Sequence, residues 1–304
     1  MGVRFRKAVK FLVNRQVRFD FLSSQGLYNH MPDEEYIKKQ FKVYVGKELD
    51  LGNPQTFNEK MQWLKLNDRK LIYTKLVDKY LVRGFVEMVL GKEFLIPLLG
   101  VWDLAEEIDF DKLPDKFVLK CNHNSGEGMC ICKGKSQIDF VSVKAKLNYA
   151  MRRNYWWHAR EWPYKNVERK IIAEKYMEDE SGTELKDYKL FTFSGKVKYI
   201  EVDYNRFTDH HRNFYTTEWE YVPFTTCYPT NPKYKIPRPR CLEKLVESAE
   251  KLACAAGVPK FVRVDMYIVN DKLYFGEMTF YHGAGYEKFM PQEYDLRLGD
   301  MIEL

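Results

Sequence analysis

Arg263, Asp265, Glu277 and Thr279 sit on two short apolar runs, residues 261–269 and 273–280, on either side of Asn270-Asp271. Two such runs around a turn pair read as a β-hairpin. A two-residue loop sets Asp265 against Gly276 and turns Glu277 to the other face. A three-residue loop, 270–272, sets Asp265 opposite Glu277 and Arg263 opposite Thr279. It also gathers Val264, Met266, Ile268, Tyr274, Gly276 and Met278 on the second face. That face is almost wholly apolar, so the three-residue loop is the expected register. Facing carboxylates about 5 Å apart repel unless a cation neutralises them. Mg²⁺ does so with one or two carboxylates plus phosphate oxygens. The plain structural alternative is Arg263 pairing with both acids.

Lysines that suit phosphate lie upstream. Lys120 ends an apolar run and precedes Asn122, His123, Asn124, Ser125, Gly126 and Gly128. A strand-end lysine is a point charge for phosphate, and a small-residue loop lets backbone N–H groups approach its oxygens. This is not a P-loop, because five residues separate Gly128 from Gly134 where that motif requires four. The expected form is a hairpin of residues 117–120 and 129–132 with a flexible tip. On that tip His123 could close over a ligand or accept a proton. Asp78-Lys79 falls in an expected helix, 76–90, ended by Gly91. Glu174-Lys175-Tyr176-Met177 ends another apolar run. There Glu174 could meet a ribose or an adenine amine while the backbone reads a base edge.

The elements that must position these groups are mixed. Pro32 with Asp33, Glu34 and Glu35 opens a helix, with acids at the positive end of its dipole. Thr56 and Glu59 have capping-box spacing, and Met61 and Leu64 follow on a core-facing stripe. Residues 188–193 and 196–202 form a hairpin about Ser194-Gly195, residues 205–240 read as irregular, and residues 242–256 as a helix ended by Gly257. Helices mixed with hairpins predict an α+β fold with antiparallel sheets. The chain of 304 residues is 45% apolar and carries a mild net charge of +6. That suits small anionic substrates and lacks the concentrated basic stripe of a nucleic-acid footprint. No apolar run approaches the roughly 20 residues of a membrane span. The six cysteines include no C-x-x-C pair and read as reduced cytosolic thiols. Basic residues from Arg4 to Arg18 alternate with apolar ones, and no acid precedes Asp20. Residues 1–22 are thus a candidate contact with an anionic membrane surface, or a helix packed on the protein body. The aromatic run from Tyr155 to His158 could stack on sugar or fill a core.

In this order, Asp78-Lys79, Lys120 with its loop, Glu174 to Met177, and Asp265 with Glu277-Met278-Thr279 resemble the ATP-grasp fold. A closer likeness is to the TupA-like ATP-grasp group, through residues 54–60, Leu113-Pro114 with residues 117–120, Asp187-Tyr188-Lys189, residues 261–265, residues 275–280 and Asp295 to Gly299. Thr279 stands where the family usually has Asn. The resemblance implies two α+β lobes with antiparallel sheets clamping a nucleotide, preceded by a mainly helical N-terminal region. The expected divisions are 1–75 (N-terminal region), 76–178 (lid lobe and nucleotide hinge) and 179–304 (C-terminal lobe with the metal-binding hairpin).

The implied cofactors are ATP and Mg²⁺. The nucleotide would rest on Lys79, Lys120, Ser125, Gly126, Gly128, Glu174, Lys175, Tyr176 and Met177, and the metal on Asp265, Glu277 and Thr279. Lys189, Arg206, Arg263 and His123 are the candidate catalytic residues. The implied reaction activates a carboxylate as an acyl phosphate and forms an amide with an amine, at the cytoplasmic side of surface-polysaccharide synthesis. The partners would be a uronic acid and an amino acid or amino alcohol or, in the opposite assignment, an amino-acid carboxylate and an amino sugar. Two rivals are a glycosyltransferase, which would not release ADP and phosphate, and a non-catalytic membrane-associated assembly protein, which would bind no nucleotide.

Overall fold

The computed structural model describes residue 11 and residues 13–179, 185–206 and 208–304. The chain opens with helices α1 (Arg15–Ser24), α2 (Asp33–Tyr44), α3 (Phe57–Asn67), α4 (Leu71–Val77) and α5 (Val82–Leu90). Pro32 starts α2, with Asp33, Glu34 and Glu35 in its first turn. Both arms of the capping box at α3 are made: Glu59 N donates to Thr56 Oγ1, and Thr56 N donates to Glu59 Oε2. The expected single helix over 76–90 is broken at Asp78 and Lys79. Asp78 has extended backbone angles, and its carboxylate accepts from Tyr80 N, Leu81 N and Asn122 Nδ2. These three bonds offset the helical ones given up at the break.

Two antiparallel sheets follow. The smaller joins β1 (Leu98–Trp102), β2 (Phe117–Cys121), β3 (Cys130–Cys132) and β4 (Ile171–Lys175) in the order β1-β4-β2-β3. Helix α6 (Phe140–Met151) covers it, and Val143, Leu147 and Ala150 share a core with Phe117, Leu119 and Ile171. A single-turn helix, α7 (Trp156–Ala159), lies between α6 and β4.

The larger sheet has β5 (Asp187–Phe193), β6 (Lys196–Tyr204), β7 (His211–Tyr215), β8 (Tyr221–Val222), β9 (Phe261–Val269) and β10 (Lys272–Thr279), ordered β10-β9-β5-β6-β7-β8. Strands β7 and β8 lie in the stretch that reads as irregular, because five and two residues are too short for a period to show. Helix α8 (Leu242–Ala255) packs across β5, β6 and β9. Its Leu245, Ala249 and Leu252 join Leu190, Val262 and Val264 in the main core. That core also takes Phe57, Met61, Tyr73 and Phe85, so it runs across the expected boundary at residue 75. Helix α9 (Glu293–Asp300) closes the chain against α3.

Candidate active site

The C-terminal hairpin reaches the expected pairing by another route. Val269 pairs with Lys272, so the loop is the two-residue Asn270-Asp271, both with positive φ (51° and 58°). That is the turn favoured by strand twist. The register then shifts between Phe275 and Glu277, and Glu277 faces Asp265 while Thr279 faces Arg263. The extra residue is Gly276, where a Cβ would stand 3.0 Å from the Asp265 carbonyl oxygen. A bulge at glycine changes the strand's parity. Phe275 and Met278, three apart, therefore both face the core beside Met266 and Val264. The three-residue loop is corrected; the opposition of the two acids stands.

Glu277, Asp265, Lys189 and Glu201 lie directly opposite one another across four strands. Arg263 grips both Asp265 oxygens at 2.6 Å and also reaches Glu277 (3.4 Å), Thr279 Oγ1 (3.2 Å) and His282 Nδ1 (2.8 Å). Burial pushes the Asp265 carboxyl up, with Arg263 opposing and Asp187 adding to the rise. Burial also acts to raise Glu277, but Lys79 and then Arg263 bring it below its ordinary value. Lys189 Nζ is ion-paired to Asp187 (3.2 Å), Glu201 (3.4 Å) and Asp203. Arg206 meets Asp187 at 3.3 Å.

A cleft of about 300 Å³ separates the two sheets. From the helical side, Lys79 enters at the α4–α5 break: its N donates to the Asn122 carbonyl, and its Nζ to the Asn124 carbonyl at 2.6 Å. The same Nζ lies 3.4 Å from Glu277 Oε2. Lys120 donates to Glu174 Oε2 at 2.6 Å, and Arg83 holds the other Glu174 oxygen at 3.2 Å. Among the expected residues, Lys79, Lys120, Ser125, Gly126, Glu174, Lys175, Tyr176, Met177, Arg206, Asp265 and Glu277 line the cleft. Lys189 and Arg263 stand in the ion-pair network beside it, and Thr279 accepts a hydrogen bond from Arg263 there. Gly128 packs inward, where a Cβ would meet Cys121 Sγ at 2.6 Å.

His123 is not on a flexible tip. Asn122, His123 and Asn124 are all buried. The ring Nε2 of His123 lies 3.3 Å from the Ala150 carbonyl and 3.2 Å from that of Arg153. Burial, helped by the Arg169 charge, lowers its pKa to about 4 from 6.5. A base depressed in the folded state takes up its proton mainly on unfolding. Its contribution is therefore present above pH 6.5 and is lost as the pH falls towards 4. The wild type should lose about 3 kcal/mol through this group by pH 4. Urea unfolding of wild type and His123→Gln across that window measures it; parallel pH profiles would refute the assignment.

Sequence alone did not point to Arg83, Asp187 or an apolar wall of Ile96, Val118 and Ile131 as parts of this cleft. The wall had a signal: Val118 shares Lys120's face by the strand period, and Ile131 pairs with Val118. Arg83 had none, since its contact with Glu174 spans 91 residues.

The TupA-like ATP-grasp family profile matches residues 59–303. The chain belongs to the TupA-like ATP-grasp family. No curated protein matches it. Similar solved structures include the D-alanine–D-alanine ligase of Bacillus anthracis complexed with ATP, at 16% identity and TM-score 0.40, covering 67% of this chain and 55% of that one. An ADP complex of N5-carboxyaminoimidazole ribonucleotide synthetase follows at 14% and 0.44, covering 73% and 50%. The Helicobacter pylori D-alanine–D-alanine ligase gives 14% and 0.42, covering 83% and 70%. The chain spans about half the length of the first two. Its two antiparallel sheets and N-terminal helices have the ATP-grasp arrangement. Within this TupA-like chain, acids from one sheet and lysines from the other side meet in one cleft. Such a set can neutralise a polyphosphate and hold a hard cation.

Proposed function

We propose that the protein is an ATP-dependent carboxylate–amine ligase. The observation that carries this reading is Lys79 meeting Glu277 beside Asp265, in a cleft that Lys120 also enters. Lys79 and Lys120 hold phosphate oxygens, and Glu277 and Glu174 keep the two ammonium groups in place until nucleotide arrives. The base lies along Glu174 to Met177, against Ile96, Val118 and Ile131. The donor set suits Mg²⁺. Asp265 and Glu277 oppose each other, and the buried Asp187 Oδ1 nearby has no hydrogen-bond partner. No three His, Cys, Asp or Glu among the described residues already form a metal cage, so phosphate and water oxygens would complete the shell. Held by Asp265 and Glu277, Mg²⁺ would offset charge on the phosphates.

The substrate carboxylate attacks the γ-phosphorus, and ADP leaves. The amine then attacks the acyl carbon, phosphate leaves, and the nitrogen loses a proton. Arg206 and Arg263 stabilise the charge of the transferring group, with Asp265 orienting Arg263 through both its oxygens. The carboxylate is a uronic acid or another sugar acid, and the amine an amino acid or amino alcohol, in bacterial surface-polysaccharide synthesis. Family membership supports this choice. The test is ADP release against a panel of uronic acids and amines, with Lys120→Met alongside. Losing one charge-assisted contact should weaken ATP binding roughly 10- to 100-fold. ADP release that ignores the carboxylate, or unchanged nucleotide affinity in Lys120→Met, would remove the reading.

Membrane contact would run through α1. Residues 1–10 and 12 lie outside the described residues. Phe19 packs inward on Tyr28 and Tyr36, whereas Val13 (74% exposed), Phe21 (51%) and Leu27 (64%) face out. Arg15, Arg18, Lys39 and Lys42 lie around the inner edge of α1. Phe21→Asp should at least halve sedimentation with anionic phosphatidylglycerol vesicles and leave ATP affinity unchanged; equal sedimentation would exclude this contact. Among the described residues no helix is long and apolar enough to cross a membrane.

A further inference from the structure

A second cleft, of about 540 Å³, opens on the other side of residues 124–127. Asn124, Ser125 and Glu127 line both clefts, so a short stretch of chain divides them. Its outer wall is α1, through Asp20, Ser23 and Ser24.

Arg152, Arg153 and Arg169 line this cleft against two acids, Asp20 and Glu127. Both acids are already engaged: the Tyr44 hydroxyl donates to Asp20, and Arg153 meets Glu127 at 3.3 Å. Arg169 is anchored by a 2.8 Å bond to the Met151 carbonyl. The balance of the wall is cationic. Hydroxyls of Ser23 and Ser24, the amides of Asn29 and Asn154, and the Trp157 indole complete the surface. Guanidinium groups match a carboxylate, hydroxyls and amides match sugar hydroxyls, and an aromatic ring matches the apolar face of a pyranose.

Tyr155 connects this cleft to the first. It lines the second cleft together with Ser125, which also lines the first. A ligand beside Tyr155 is therefore placed next to the 124–127 segment that covers the phosphate region.

We propose that the second cleft is the acceptor subsite and binds a saccharide bearing a carboxylate, with Arg152 and Arg169 as its charged partners. Its role as acceptor rests on the ligase reading; the binding itself does not.

The probe is a galacturonic acid trimer titrated calorimetrically into the full chain, with and without Mg-ATP, beside a neutral galactose trimer. Ser24→Trp narrows the cleft from α1, and Arg152→Gln removes an exposed charge. The expected result is saturable binding of the acidic trimer that weakens at least tenfold in each variant, with the neutral trimer weaker still and ATP affinity within twofold of wild type. No binding by the wild type, equal affinity in both variants, or equal affinity for the neutral trimer overturns the proposal. The titration without nucleotide separates saccharide binding from ATP binding. Loss of nucleotide binding alone would count against the ligase reading and leave the subsite standing.

Discussion

Glu277→Gln should lower ADP release by about 10³-fold while leaving the fold intact, an effect in the range seen when a single preorganised charge-stabilising group is removed. The substitution keeps shape and removes one charge. That charge faces Asp265 across the hairpin and balances Lys79 at 3.4 Å and Arg263 at 3.4 Å. Without it a hard cation held by the acid pair would lose one of two anionic ligands, and Lys79 would keep only the Asn124 carbonyl as its partner over the cleft. The measurement is steady-state ADP release at saturating ATP, with the Mg²⁺ concentration for half-maximal rate determined in parallel. That concentration should rise at least tenfold. A variant with more than a tenth of wild-type activity, or with unchanged Mg²⁺ dependence, would show that the acid pair does not hold the metal. The melting temperature should stay within a few degrees, because Glu277 is the most exposed acid of its network.

Lys189→Met should cost about 3–5 kcal/mol of stability, the range for removing one partner of a buried ion pair. Its ammonium is the meeting point of Asp187, Glu201 and Asp203, all nearly or fully buried. Glu201 has no solvent exposure and neither of its oxygens makes a hydrogen bond, so it depends on the charges of Lys189 and Arg212. Burial acts to raise the carboxyls of Asp187 and Glu201. Lys189 with Arg206, and Arg212 with Lys189, bring them below their ordinary values. Depressed acids stabilise the fold above their unfolded pKa, and that stability is lost as the pH falls through the folded value. Methionine removes a cause of the depression, so the cost of the variant should shrink between pH 7 and pH 5 as protonation relieves the orphaned acids. Urea unfolding at both pH values tests this. A cost under 1 kcal/mol at pH 7, or one that grows with acidity, would refute it. Lys189→Arg, which keeps the charge, should recover part of the loss.

Local signals in the chain were enough for the starts of α2, α3 and α8, the capping box at Thr56, the hairpins β2–β3, β5–β6 and β9–β10, and, though not its route, the pairing of Asp265 with Glu277. Each depends on neighbours within a few residues or on one strand period, so residue types determine them directly. What took the tertiary structure was everything set by a distant partner. Asp78 ends a helix because Asn122 donates to it from 44 residues away. His123 is buried because α6 brings the Ala150 carbonyl over it. Glu277 faces Asp265 through a glycine bulge, since the short turn and the apolar face demand opposite parities and only an inserted residue satisfies both. Lys79, Lys120 and Glu277 share one cleft because two sheets and a broken helix converge there, and no sequence period spans that separation.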